Sequence, residues 1–315
     1  MTKVTQLRPG LWQISLPFQN EEEIVGAYLL AGNHELALID PGPGSTLEAL
    51  LAGVHTAGFD PQDLTHILLT HVHLDHAGGA GALARHSGAR VLVHLLGAPH
   101  LLDPGRLIAS AQRIYGERMF SLWGEIASVP TAQCQTLTGN ETLNVAGRRL
   151  EVRYTPGHAV HHVIFFDAHT GELFAGDVAG VRLPGSAVVR PPTPPPDLDL
   201  PAWSASLDLL QRLHPDVLYL GHYGAVTEIP GHLSRLRDRL YVWGNLVLQA
   251  MNEGKHEEEI ITLLIREATP EAGYATRSSH DAVRYEIASN YQMTVQGYLR
   301  YWRKTRLGKP GEAGA

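Results

Sequence analysis

Cysteine is nearly absent. Cys134 is the only one in 315 residues, so no intramolecular disulfide and no thiolate metal cluster can form. Long hydrophobic runs are missing too. Nothing approaches the roughly 18 apolar residues of a membrane span, and residues 1–18 carry no stretch of signal-peptide type. The expectation is a cytoplasmic protein with no membrane partner. Positive charge is short as well: a formal net charge of −7 removes the bulk footprint that whole-surface nucleic-acid binding needs, though not a local basic patch. Hydrophobic residues at 44% against 18% charged leave room for a substantial core.

Histidine, by contrast, is abundant and bunched, with 18 in the chain. With thiolates excluded, any metal site has to be built from such nitrogen ligands and from carboxylates.

Apolar segments of strand length fall at 11–16, 25–31, 36–39, 65–69, 91–94, 150–154, 163–167, 172–175 and 217–220. Between them the loop Asp40-Pro41-Gly42-Pro43-Gly44 is followed by Ser45 and Glu48, which read as a capping box opening a helix to about Thr56. Helical spacing predicts further helices at 79–86, at 104–123 as one piece, and at 203–213 with Leu207, Leu210 and Leu213 inward. Residues 190–201, RPPTPPPDLDLP, form a stiff extended connector. After residue 229 the texture changes to long helical patterns at 231–252, 256–267 and 280–304. The chain therefore divides into a strand–helix body, 1–229, and a helical region of about three helices, 230–315, ending in a poorly structured 308–315.

The chemistry concentrates in Thr70-His71-Val72-His73-Leu74-Asp75-His76-Ala77-Gly78-Gly79. Two histidines at i and i+2 in extended backbone project to one side, so both can reach one ion. Asp75 and His76 sit where the chain turns into a helix and can face a second ion. Hydrolytic zinc sites want three or more protein ligands per ion plus an open water position. The missing donors stand in similar settings, each beside a glycine at the end of an apolar strand: His158 in Thr155-Pro156-Gly157-His158, Asp177 after Gly176, and His222 after Gly221.

The set THVHLDH, TPGH, GD and GHYG resembles the metallo-β-lactamase superfamily, in particular its glyoxalase II-like and lactonase-like hydrolases, over about the first 230 residues. The resemblance implies an α/β fold, the αββα sandwich, here followed by the helical appendage. It implies that His71, His73 and His158 bind one metal, that Asp75, His76 and His222 bind a second, and that Asp177 bridges them. Two divalent ions are implied; zinc suits these ligands, and iron or manganese fit the same set. The implied reaction is hydrolysis of an ester, thioester or lactone by a metal-bridging hydroxide, with Asp75 orienting the hydroxide and passing its proton to the leaving group.

Smaller assignments follow. Asp40 in IDPG matches an aspartate that supports the histidine loop from behind, and also suits a plain turn. His162 can hydrogen-bond near the site or cap a strand, and Tyr223 can donate to a substrate oxygen or simply pack. Arg182 and Arg190 can meet an anionic substrate or be surface charge. A small-molecule substrate is the first expectation. The tail supports a second: Arg300, Arg303, Lys304, Arg306 and Lys309, interleaved with Tyr298, Tyr301 and Trp302, are similar to a single-stranded RNA patch of an endoribonuclease, or form the solvated face of a last helix. A non-enzymatic binding module is the third; the full ligand set argues against it.

Overall fold

Consecutive apolar residues that face opposite ways need cover on both faces of a sheet, and that is what Leu38-Ile39, Ile67-Leu68 and Leu173-Phe174 receive. In the computed structural model, which describes residues 2–275 and 279–307, the chain begins with an antiparallel meander of β1 (Val4–Arg8), β2 (Leu11–Phe18), β3 (Glu21–Gly32) and β4 (Glu35–Ile39). Strand–helix alternation follows: α1 (Leu47–Thr56), β5 (Leu64–Leu68), α2 (Leu74–Ala77), α3 (Ala80–Ser87), β6 (Arg90–His94), α4 (Ala98–Leu102), α5 (Gly105–Tyr115), α6 (Met119–Trp123) and β7 (Cys134–Leu137). These seven strands form one sheet in chain order, antiparallel up to β4 and parallel from β4 to β7.

A second sheet holds β8 (Thr142–Val145), β9 (Arg148–Tyr154), β10 (Val163–Asp167) and β11 (Glu172–Gly176) as a meander. After α7 (Leu200–Arg212), β12 (Val217–Leu220) pairs parallel with β11, and β13 (Ala225–Val226) closes the edge. The chain then continues into α8 (Ile229–Asn252), α9 (Glu257–Ala275), α10 (Ser279–Ala288) and α11 (Tyr291–Leu307).

Three apolar layers hold the sandwich together. Between the sheets lie Leu11, Tyr28, Ile39, Leu68, Val152, Phe165 and Phe174. The outer face of the first sheet packs Leu38, Ile67 and Val91 against Leu50 and Val54 of α1 and Leu83 of α3. The outer face of the second packs Ile164, Leu173 and Leu218 against Trp203 and Leu207 of α7, Leu236 of α8, and Val295 and Tyr298 of α11. The αββα sandwich is thus present, with α8, α9 and α11 sharing the core of the second sheet and α10 packing Tyr285 and Ala288 into that of the first. None of the described helices is long and apolar enough to cross a membrane.

Several local expectations are corrected. Ser45 caps nothing: its hydroxyl donates to the carbonyl of Leu122 (2.7 Å), a 3₁₀ turn occupies Gly44–Thr46, and the helix starts at Leu47. The segment 104–123 is broken where Gly116 takes φ +54°. The pattern at 280–304 is two helices, because Asn290 interrupts it and accepts from the Met293 N–H (2.8 Å) as a new N-cap. Leu213 sits just past the end of α7, yet faces inward as expected, half-buried against the core that holds Leu207 and Leu210. The short strands β1, β7, β8 and β13 carry too little alternation to be read from sequence; all four lie at sheet edges, where polar residues are normal. Residues 308–315, Lys309 among them, lie outside the described residues.

Gly157, next to His158, has φ +131° and approaches α7 so closely that a Cβ would lie 2.3 Å from the backbone nitrogen and Cα of Trp203. Strain and clash act together there. Gly157→Ala should therefore lower unfolding free energy by about 2 kcal/mol or more, read as a lower denaturant midpoint with an unchanged m-value.

Candidate metal centre

Strands β9, β11 and β12 run the same way in the second sheet, and the loops leaving their carboxyl ends meet those leaving β4 and β5 of the first. The two sheets are tied there by backbone bonds, Val163 N–H to the Thr70 carbonyl (2.8 Å) and Gly26 N–H to the Gly221 carbonyl (3.1 Å). Ligands in α/β folds gather at such strand ends because loops converge there over a rigid base.

Asp40 follows β4 in the left-handed region, φ +52°. Its Oδ1 accepts from the Thr70 N–H (2.8 Å) and its Oδ2 from the Thr70 hydroxyl (2.7 Å). Having given away its one proton, the Thr70 oxygen can only accept from His71 Nδ1–H, 3.0 Å away. That fixes the tautomer of His71 and leaves Nε2 as a bare lone pair. His158 Nδ1–H donates to the Pro192 carbonyl (2.7 Å), and His222 Nδ1–H to the Ile24 carbonyl (3.3 Å), with the same result.

The freed atoms converge. His73 Nδ1 lies 2.9 Å from His158 Nε2. Asp75 Oδ2 lies 3.6 Å from His76 Nε2 and 3.5 Å from His222 Nε2. Asp177 stands between the two groups: Oδ1 is 3.2 Å from His76 Nε2, while Oδ2 is 3.3, 3.5 and 3.9 Å from the Nε2 atoms of His222, His158 and His71. The donor atoms of His71, His73 and His158 lie within 4.8 Å of one another, as do those of Asp75, His76 and His222, and those of His71, His76 and Asp177. Gly221 makes room for this, since a Cβ there would meet His76 Cε1 at 2.6 Å.

Four of these buried atoms have no hydrogen-bond partner among the described residues: His71 Nε2, both ring nitrogens of His76, and Asp177 Oδ1. Buried polar atoms are rarely left so. A cation shared by histidine nitrogens and carboxylate oxygens satisfies His71 Nε2, His76 Nε2 and Asp177 Oδ1, while His76 Nδ1 faces Asp40 Oδ2 at 3.5 Å, and so the donor set fits a pair of divalent ions.

Burial lowers the pKa of His71 and His73, and pushes His158 down to about 3 despite the opposing pull of Asp177. Burial would lower His76 and His222 too, but the Asp177 carboxylate outweighs it and both are raised. Asp177, which burial alone would raise, is held well below the carboxylate range by His222 and His76.

A family model described as the metallo-beta-lactamase superfamily matches residues 21–222. The chain belongs to that superfamily. A solved metallo-beta-lactamase family protein of Thermus thermophilus is similar over 97% of each chain, with TM-score 0.73 and 26% identity. A metallo-beta-lactamase fold-containing protein of Sulfurisphaera tokodaii is 30% identical over 210 residues, 65% of this chain and 75% of that one. A thioesterase of Emericella nidulans is 28% identical over 208 residues, 66% of this chain and 48% of the relative.

Within this superfamily site, the remaining candidates fall into place one by one. His162 has both nitrogens engaged: Nε2 accepts the Asp177 N–H (3.2 Å), so Nδ1–H donates to the Thr155 hydroxyl (2.9 Å). It therefore anchors the backbone that carries Asp177. Tyr223 is buried, packs its ring on Gly26, and has Thr5 as its hydroxyl partner. Arg190 is neither surface charge nor substrate-facing. It is buried between the rings of Tyr285 (4.8 Å) and Tyr291 (4.4 Å) and bonded to Glu286 (2.9 Å) and the Tyr291 hydroxyl (2.7 Å). Arg182 donates to the Ser186 carbonyl (2.7 Å). The aromatic half of the RNA-like patch is packed inward: Tyr298 is fully buried with its hydroxyl on the Leu240 carbonyl (2.8 Å), Trp302 Nε1 donates to the Gly244 carbonyl (2.9 Å), and Tyr301 joins the same core.

Sequence reading missed Thr70 as the link between Asp40 and His71, and missed His161 and Asp197, whose Nε2 and Oδ2 lie 4.0 Å apart beside the cluster. A threonine just before a histidine motif was the only available signal for the first. The carbonyls of Pro192 and Ile24 have no side-chain signature at all.

Protons compete with metal for a histidine whose pKa is raised, and compete little where burial has lowered it. In protein loaded with two divalent ions, acidified from about pH 8 to about pH 5.5, a range spanning the ordinary histidine value, an ion held by Asp75, His76 and His222 should leave before one held by His71, His73 and His158. Metal analysis after dialysis should show the metal-to-protein ratio falling from two towards one; simultaneous loss of both ions would contradict the assignment.

Proposed function

We propose that this protein is a metal-dependent hydrolase that opens carbonyl esters, thioesters or lactones, with thioesters the first class to try. The observation that carries the reading is the convergence of seven donor residues, with buried unpartnered atoms among them, at one strand-end edge. His71, His73 and His158 would hold one ion, Asp75, His76 and His222 the other, with Asp177 shared. When bound, two divalent ions, zinc in the first instance, supply an ionised water and polarise a carbonyl oxygen. The relative called a thioesterase supports the choice of substrate class.

The chain's own residues have separable tasks. Asp40 and Thr70 hold His71 in the tautomer that presents Nε2. His162 holds the Asp177 backbone. Asp75 and His73 are the only two of the seven that are not fully buried; the Asp75 side chain is 21% accessible, with Oδ2 towards His76 and His222. Its Oδ1 is then the atom to take a proton from the attacking water and hand it to the leaving thiolate or alkoxide. Chain atoms crowd water out around the remaining donors.

Zinc-loaded protein should hydrolyse at least one member of a panel of acyl thioesters, aryl esters and lactones, and a chelator should abolish the rate. Asp75→Asn should lower kcat by about 10²–10⁴-fold while the protein keeps the ion at His71, His73 and His158. Cleavage of phosphodiesters with no carbonyl substrate turned over would sink the proposal. So would full activity in the substituted protein.

A further inference from the structure

We propose a second site in this protein, a cleft that binds the phosphate groups of a phosphorylated nucleoside carried as a handle on the substrate. The cleft has a volume of about 540 Å³ and lies between the start of α9, one face of α11 and the proline-rich connector. Pro195 and Leu299 give it an apolar floor, and Arg300, Arg303 and Lys304 line its wall.

Those three cations stand at i, i+3 and i+4, so they are neighbours on one helix face and repel one another. All three are exposed, and none has a hydrogen-bond or ion-pair partner among the described residues. No aspartate or glutamate occurs anywhere in α11. Among the described residues lining the cleft the one carboxylate is Glu257, which accepts from the neutral Gln296 amide (2.8 Å) and leaves the cations in excess. A patch with three cations against one carboxylate, in a chain of net charge −7, is not a general surface property. Its complement is a compact polyanion, with three donors able to share phosphate oxygens. The apolar floor suits a flat base. A long polynucleotide is the weaker fit, because Tyr298 and Trp302, which would have to stack on its bases, are tied into the core.

Position gives the cleft its role. The stretch 192–197 touches both places: the Pro192 carbonyl holds His158, Asp197 faces His161, and Pro195 lines the cleft. Three extended residues span at most about 11 Å, so a flexible thiol arm anchored by its phosphates can deliver a thioester to the metal centre. This substrate assignment rests on the hydrolase reading above. Water and thioester become carboxylic acid and thiol there, and no bond of the handle changes.

The binding arm of the test needs no metal. Adenosine 3′,5′-bisphosphate titrated calorimetrically into the metal-free full chain at low salt should bind, and R300E/R303E should weaken binding by about tenfold or more. No binding, or binding indifferent to the substitutions, overturns the proposal. Tighter binding of a single-stranded RNA through the same residues overturns it in favour of nucleic acid. The kinetic arm uses zinc-loaded protein and one acyl group on two thiols, coenzyme A and N-acetylcysteamine. R300E/R303E should raise KM for the first about tenfold and leave the second unchanged; equal loss on both overturns the handle role. A chain that binds the bisphosphate yet hydrolyses neither thioester keeps the cleft and sinks only the reaction. K304E, at the same exposed face, serves as an independent variant.

Discussion

One buried carboxylate organises this molecule. Asp177 is enclosed by four imidazole nitrogens within 3.9 Å and has an oxygen with no hydrogen-bond partner among the described residues. Removing such groups from water costs several kcal/mol per charge unless opposite charge compensates. The histidines answer this only in part. Two are pushed towards the charged form and three towards the neutral form by the same surroundings. Cation binding resolves the conflict, and the fold is arranged so that separate loops from both sheets must be in place before the conflict exists.

Much of this was legible in the sequence. The strands that carry the site have both faces covered, so they stand out as short unbroken apolar runs, and each delivers a polar residue beside a glycine. His71 to His76 declare themselves by density, and His158, Asp177 and His222 by setting. Legibility failed where the cause lies in tertiary contact. Ser45 looked like a cap, yet Leu122 offered its hydroxyl a partner 77 residues away. Arg190 looked like surface charge because nothing nearby in the chain announces Tyr285, Glu286 and Tyr291. The aromatic residues of the last helix looked available because periodicity alone does not say how wide a buried stripe will be.

The helices after Ile229 are bound to the body in two ways. Helices α8, α9 and α11 cover the outer face of the second sheet with apolar side chains, and α10 packs Tyr285 and Ala288 into the core of the first. They also reach the metal centre through the connector, where Ser289 donates to the Pro191 carbonyl (3.3 Å), Thr193 to the Thr294 carbonyl (3.4 Å), and Arg190 ties the whole to α10 and α11. On the other side, Arg284 donates to the carbonyls of Glu22 and Glu23, the second of them one residue before the Ile24 carbonyl that orients His222.

The guanidinium of Arg190 thus works as a keystone set between two tyrosine rings. It carries no donor to the cluster, yet the imidazole of His158 leans on a peptide group two residues along from it. Shortening the protein to its strand-rich body would unseat that stone, and the ring orientation of a distant ligand would go with it. The tail is in this sense part of the centre's scaffolding, even though none of its described residues stands among the donors.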